Sequence, residues 1–95
     1  MTAERRITVT IVNERGLHAR AAAKFVKLAD QFQAAIEVVR NGTQVDGRSI
    51  MGLMMLAAGP GTELEISADG ADADSALAAL ADLVGRGFDE GCCTL

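Results

Sequence analysis

Ile7-Thr8-Val9-Thr10-Ile11-Val12-Asn13-Glu14-Arg15-Gly16-Leu17-His18-Ala19-Arg20 is the stretch whose reading decides the fold. Its first half alternates: Ile7, Val9 and Ile11 point one way, Thr8 and Thr10 the other. That period of two predicts a half-buried strand over residues 6–12. One apolar and one polar face suggest an antiparallel sheet covered on one side only. Past Gly16 the period lengthens. Ala22, Phe25, Val26 and Ala29, with Phe32 just beyond, form one stripe of a helix predicted over residues 19–31. Gly16 supplies a backbone free to turn sharply between the two elements.

The rest of the chain continues the pattern. Residues 35–40 and Thr43–Asp46 read as strands two and three, joined by Asn41-Gly42, the strongest two-residue hairpin signal. A second helix is predicted over residues 49–58, stopped by Gly59-Pro60-Gly61. Strand four follows over residues 62–68, where Leu64 and Ile66 alternate with Glu63 and Glu65, and Asp69-Gly70 reads as a turn. A third helix starts at Asp72 or Asp74, with the stripe Ala73, Ala76, Leu77, Leu80 and Val84. Residues 87–95 show no period and are expected to be a flexible tail. The order β-α-β-β-α-β-α predicts a single α+β domain with four mainly antiparallel strands and three helices on one face.

Composition narrows the function. At 95 residues the chain holds one modest core. A net charge of −4 and an aromatic content of three Phe, without Trp or Tyr, argue against a nucleic-acid binder. No apolar run approaches a membrane span, and the N-terminus lacks a secretory apolar segment. Cys92 and Cys93 are neighbours and read as free thiols in a reducing cytoplasm. With one histidine and no ligand cluster, neither a metal nor another cofactor is expected.

That one histidine, His18, falls at the predicted start of the first helix, where free backbone N–H groups and the helix dipole favour an anion. Arg20 adds a planar donor fork suited to phosphate oxygens. A lone histidine after a strand is more often a cap or packing residue. An imidazole beside an anion-binding helix end and an arginine, however, is equipped to accept a phosphoryl group. Arg20, Lys24 and Lys27, at i, i+4 and i+7, would form a basic ridge from that point, and Arg15 and Arg48 would extend it. The second helix is apolar almost all round: Leu53, Leu56 and Ala57 form one arc, Ile50, Met51, Met54 and Met55 another. The second arc reads as a partly exposed patch, because methionines suit a surface that repacks against several partners. Ser49 reads as that helix's N-cap, without a capping box because position 52 is Gly52.

Gly16-Leu17-His18-Ala19-Arg20, together with Arg48-Ser49-Ile50-Met51-Gly52-Leu53-Met54, resembles the HPr family, the histidine-containing phosphocarriers of the bacterial phosphoenolpyruvate-dependent phosphotransferase system. The resemblance covers roughly residues 5–86. One position departs from it: Ala21 stands where the family usually has proline, which would pre-set φ in the first helical turn. The resemblance implies an open-faced β-sandwich and a cytoplasmic monomer. His18 would take phosphate from enzyme I and pass it to a histidine of an enzyme IIA component, of sugar uptake or of a nitrogen-related branch. Such a protein is a transfer intermediate more than an enzyme. Arg20 would stabilise the phosphoryl group, and Lys24, Lys27, Arg48, Ile50, Met51 and Met54 would meet partner proteins. Ser49 would match the site of regulatory phosphorylation by HPr kinase/phosphorylase. A module that binds partners through Ser49 and the helix-two patch, without histidine chemistry, is the alternative. Retention of His18 and Arg20 favours the phosphocarrier.

Overall fold

Rows of apolar side chains running across a sheet set the architecture. In the computed structural model, which describes residues 4–89, strands β1 (Arg5–Thr10), β2 (Ala34–Arg40), β3 (Thr43–Asp46) and β4 (Glu63–Gly70) form one sheet in the order β1-β4-β2-β3. Every neighbouring pair is antiparallel. The register aligns Ile7, Ile66, Val38 and Val45 in one row and Arg6, Ser67, Glu37 and Asp46 in the next. Successive residues on a strand face opposite ways, so these rows belong to opposite faces. The apolar rows lie under the helices, and the polar rows form the open face.

Helices α1 (Ala19–Ala29), α2 (Ile50–Met55) and α3 (Ala73–Gly85) cover the apolar face. Ala21, Ala22, Phe25 and Ala29 are the buried side of α1. Ala73, Ala76, Leu77, Leu80, Leu83 and Val84 are that of α3. Both meet Ile11, Ile36, Val38, Leu64 and Ile66 in one core. The predicted stripes therefore hold, except that Val26 and Phe32 are only partly buried. The hairpin turn is also as expected: Asn41 and Gly42 have φ of 49° and 84°, the pair of left-handed residues a type I′ turn requires.

Several boundaries move, each for a local reason. The first helix stops at Ala29, two residues short of the expected end, and the Arg48 guanidinium binds the carbonyl oxygens of Ala29, Phe32 and Ala34 at 2.8–2.9 Å. The second helix stops at Met55 instead of reaching residue 58. Ala57 turns left-handed at φ 52°, and Arg40 Nη1 donates to the Leu56 and Ala57 carbonyls at 2.7 and 3.3 Å. Asp69-Gly70 is not a turn: both residues pair with β2, which lengthens β4. Asp72 precedes α3 and accepts from the Gln33 backbone N–H at 2.8 Å, tying that helix to the entry of β2.

The expectation of a flexible tail from residue 87 fails where it begins. Gly87–Asp89 form a short 3-10 turn, and Phe88 is completely buried in the core. An aromatic side chain gains enough from burial to anchor that segment. Residues 90–95, with Cys92 and Cys93, lie outside the described residues.

Candidate functional site

The turn before α1 is held by backbone chemistry. Gly16 has φ 66°, its N–H donates to the Asn13 carbonyl at 3.1 Å, and Asn13 Nδ2 donates back to the Gly16 carbonyl at 2.9 Å. Leu17 N–H donates to the Ala58 carbonyl at 2.9 Å, and the Leu17 side chain is buried. A Cβ on Gly16 would lie 2.3 Å from Ala58 O and 2.9 Å from Gly59 Cα. Both the dihedral and the space therefore require glycine.

From this turn the chain enters α1 with His18 at the N-cap, extended at φ −80° and ψ −178°. The His18 carbonyl accepts the Ala22 N–H at 2.8 Å, while its half-buried side chain does not cap the helix. Helix geometry leaves the first-turn N–H groups without carbonyl partners, and no acidic side chain lies in that turn to offset their positive end. Ala21 is fully buried and, not being proline, adds one more N–H to this end.

The basic residues separate into two groups. Of the nine, Arg5, Arg6, Arg48 and Arg86 are ion-paired, Arg40 binds two carbonyls, and Lys24 Nζ donates to the Phe88 carbonyl at 2.8 Å. Among the described residues, the remaining Arg15, Arg20 and Lys27 take no hydrogen-bond or ion-pair partner, and all three are exposed. Each lies on the loop or the helix that carries His18. The expected ridge is thus broken at Lys24, and Lys27 sits in the last turn of α1. Arg48 does not extend the patch at all. It is committed to the C-terminal end of α1, opposite His18, and its Nε also meets Asp30 at 3.2 Å.

On α2, Ser49 Oγ accepts the Gly52 N–H at 3.0 Å, the simple cap its position suggests. Leu53 and Leu56 are buried, while Ile50, Met51, Met54 and Met55 face outward, Met51 and Met55 being about three-quarters exposed. The end of α2 abuts the loop before His18, through Ala58 and Leu17. Sequence reasoning passed over Asn13, Arg40 and Phe88, whose roles depend on contacts far along the chain. Phe88 alone carried a signal, as one of only three aromatic residues in the protein.

Among the described residues no cluster of His, Cys, Asp or Glu is arranged to hold a metal, and no helix is long and apolar enough to cross a membrane. A family model described as the PTS HPr component phosphorylation site matches residues 5–86. Phosphocarrier protein HPr of Pseudomonas aeruginosa is 51% identical over 86 residues, covering 90% of this chain and 96% of that one. Its counterpart in Neisseria meningitidis serogroup A is 50% identical over 84 residues, covering 88% and 94%. The crystal structure of HPr-C-His from Thermoanaerobacter tengcongensis superposes with a TM-score of 0.86 at 41% identity, over 90% of this chain and 97% of the other.

Proposed function

The chain belongs to the HPr family of phosphotransferase-system phosphocarriers, and we propose that His18 is the group that carries the phosphoryl, received from enzyme I and delivered to a histidine of an enzyme IIA component. The observation that carries this reading is the setting of the only histidine: an N-cap with an open first turn and an uncommitted arginine two residues on. A neutral ring nitrogen attacks phosphorus in line, and a nitrogen–phosphorus bond forms as the donor's bond to phosphorus breaks. Charge in the loose transition state spreads over three equatorial oxygens, where first-turn N–H groups and Arg20 stabilise it. Delivery is the same step reversed onto a new acceptor, so the protein is consumed and regenerated rather than acting as a catalyst.

Ile50, Met51 and Met54 supply the apolar docking face beside this site, and Lys27 adds charge to it. Ser49, at the head of the same helix, is the regulatory position: phosphate there is tolerated by the helix dipole but changes the charge of the docking face. The working form is a cytoplasmic monomer.

Incubation with enzyme I and phosphoenolpyruvate tests the reading. One acid-labile, base-stable phosphate per chain is expected, and His18→Gln removes it while leaving the circular dichroism spectrum unchanged. A His18→Gln protein that still accepts phosphate would overturn the assignment. Arg20→Ala slows transfer by ~10²-fold, the loss that follows removal of one oxyanion donor.

A further inference from the structure

Three successive residues after α3, Gly87, Phe88 and Asp89, have positive φ of 66°, 56° and 62°. Left-handed residues normally occur singly and are glycine or asparagine, so a phenylalanine within such a run is strained. Strain of this kind persists only where the surroundings over-determine it, and it gathers at functional sites. Here the surroundings do so. The Phe88 side chain is fully buried and its carbonyl oxygen accepts the 2.8 Å hydrogen bond from Lys24 Nζ. Asp89 N–H donates to the Arg86 carbonyl at 3.2 Å, and Arg86 Nε lies 3.5 Å from Asp89 Oδ1.

The turn also reaches the other support of His18. A Cβ built on Gly87 would stand 3.4 Å from Asn13 Cβ, so the glycine backbone runs beside Asn13 with room for little more than a methyl group between them. Asn13 is buried and holds Gly16 through Nδ2. One strained turn therefore lies beside the loop before His18 and is hydrogen-bonded, through Lys24, to the helix after it. Simple filling of the core needs no left-handed phenylalanine. A lysine kept for docking would present its ammonium to water rather than to a carbonyl 64 residues away.

We propose that Lys24 is a positioning residue of the phosphoryl-transfer site. By clamping the turn at Gly87–Asp89 it holds loop 13–17 and the first turns of α1 at the separation from which His18 attacks in line. The inference rests on His18 being the phosphoacceptor, and it moves Lys24 from the docking surface to the supports of the site.

Two variants of the full chain test it. Lys24→Met keeps the length of the side chain and removes the donor; Lys24→Arg keeps a donor. Transfer from phosphorylated enzyme I is measured as kcat and KM, with the wild-type chain in the same assay. Lys24→Met is expected to lower kcat about tenfold with KM within about twofold, and Lys24→Arg to recover most of the loss, as displacement of a reacting group predicts. A loss carried mainly by KM would return Lys24 to the docking surface and overturn the proposal, as would unchanged constants. His18 is the only histidine, so its ring signals in NMR are unambiguous. They are expected to shift in Lys24→Met and return in Lys24→Arg; signals that do not move overturn the proposal without reference to any phosphate donor. Failure of the wild-type chain itself to accept phosphate would instead refute the phosphocarrier reading.

Discussion

The carbonyl oxygen of Ala58 lies 2.3 Å from the point that a Cβ on Gly16 would occupy, and the same oxygen accepts the Leu17 N–H. This one oxygen thus joins the end of α2 to the loop that delivers His18. Any side chain at Gly16 must displace backbone, since nothing flexible stands in the way. Gly16→Ala also forces a residue with a Cβ to φ 66°. The expected loss of stability is about 2 kcal/mol, from left-handed strain and the broken contact together. Urea unfolding measures it, and a change below about 0.5 kcal/mol would mean that the loop relaxes freely.

Arg48 gives a second stability prediction. Its guanidinium donates to the carbonyls of Ala29, Phe32 and Ala34 just past the end of α1, and of these the Ala29 oxygen also accepts the Phe32 N–H at 3.2 Å. Arg48→Met keeps much of the stem and removes every donor. Water can rehydrate part of this half-exposed site, so the expected cost is about 1–2 kcal/mol, nearer the worth of one or two hydrogen bonds than of three. Arg48→Lys recovers only a fraction, because an ammonium cannot reproduce the fork. Thermal unfolding of the two variants decides it: equal melting temperatures for Met and Lys would mean that the fork does not matter.

What was legible in the sequence was what neighbours along the chain determine. Ile7 and Val9 alternate with threonines, Leu64 and Ile66 with glutamates, and Asn41-Gly42 bends as its dihedral preferences require. Strand order was not legible, because pairing β1 with β4 depends on distant residues. The same holds for Arg48, whose acceptors at positions 29, 32 and 34 converge only in the fold, and for Lys24, whose acceptor is near the far end of the chain. The burial of Phe88 is not legible locally, because a period cannot be detected in three residues. Within the candidate site, the resemblance at residues 16–20 named His18 and Arg20. The left-handed turn at Gly87–Asp89 has no signature in the local sequence, because Phe88 is a residue type that rarely adopts positive φ.

The exposed methionines of α2 allow docking to be separated from folding. Met51 is about three-quarters exposed and Met54 just under half, while Leu53 between them is fully buried. Met51→Glu with Met54→Glu should therefore weaken binding to enzyme I about tenfold or more, since a charge placed in an apolar contact must be desolvated. The melting temperature should fall by only a few degrees, consistent with a small surface effect in a domain of this size. Titration calorimetry and a thermal scan on the same sample read both. Unchanged affinity would remove α2 from the docking face.

Ser49 separates capping from signalling. Its Oγ accepts the Gly52 N–H at 3.0 Å, and Asp or Asn can provide the same acceptor, so both substitutions should preserve α2. Only Asp adds charge, short of the roughly −1.5 to −2 of a phosphate. At the N-terminus of a helix that charge is locally favourable, so the domain should not loosen. Under the proposed function, any inhibition must then arise at the contact with enzyme I, where the apolar face of α2 would acquire a charge. Ser49→Asp is expected to slow phosphorylation of His18, chiefly by raising KM, while Ser49→Asn leaves it unchanged. Matching unfolding curves for the two variants would confirm that the cap is intact in both. Equal transfer rates would leave Ser49 as a helix cap and nothing more.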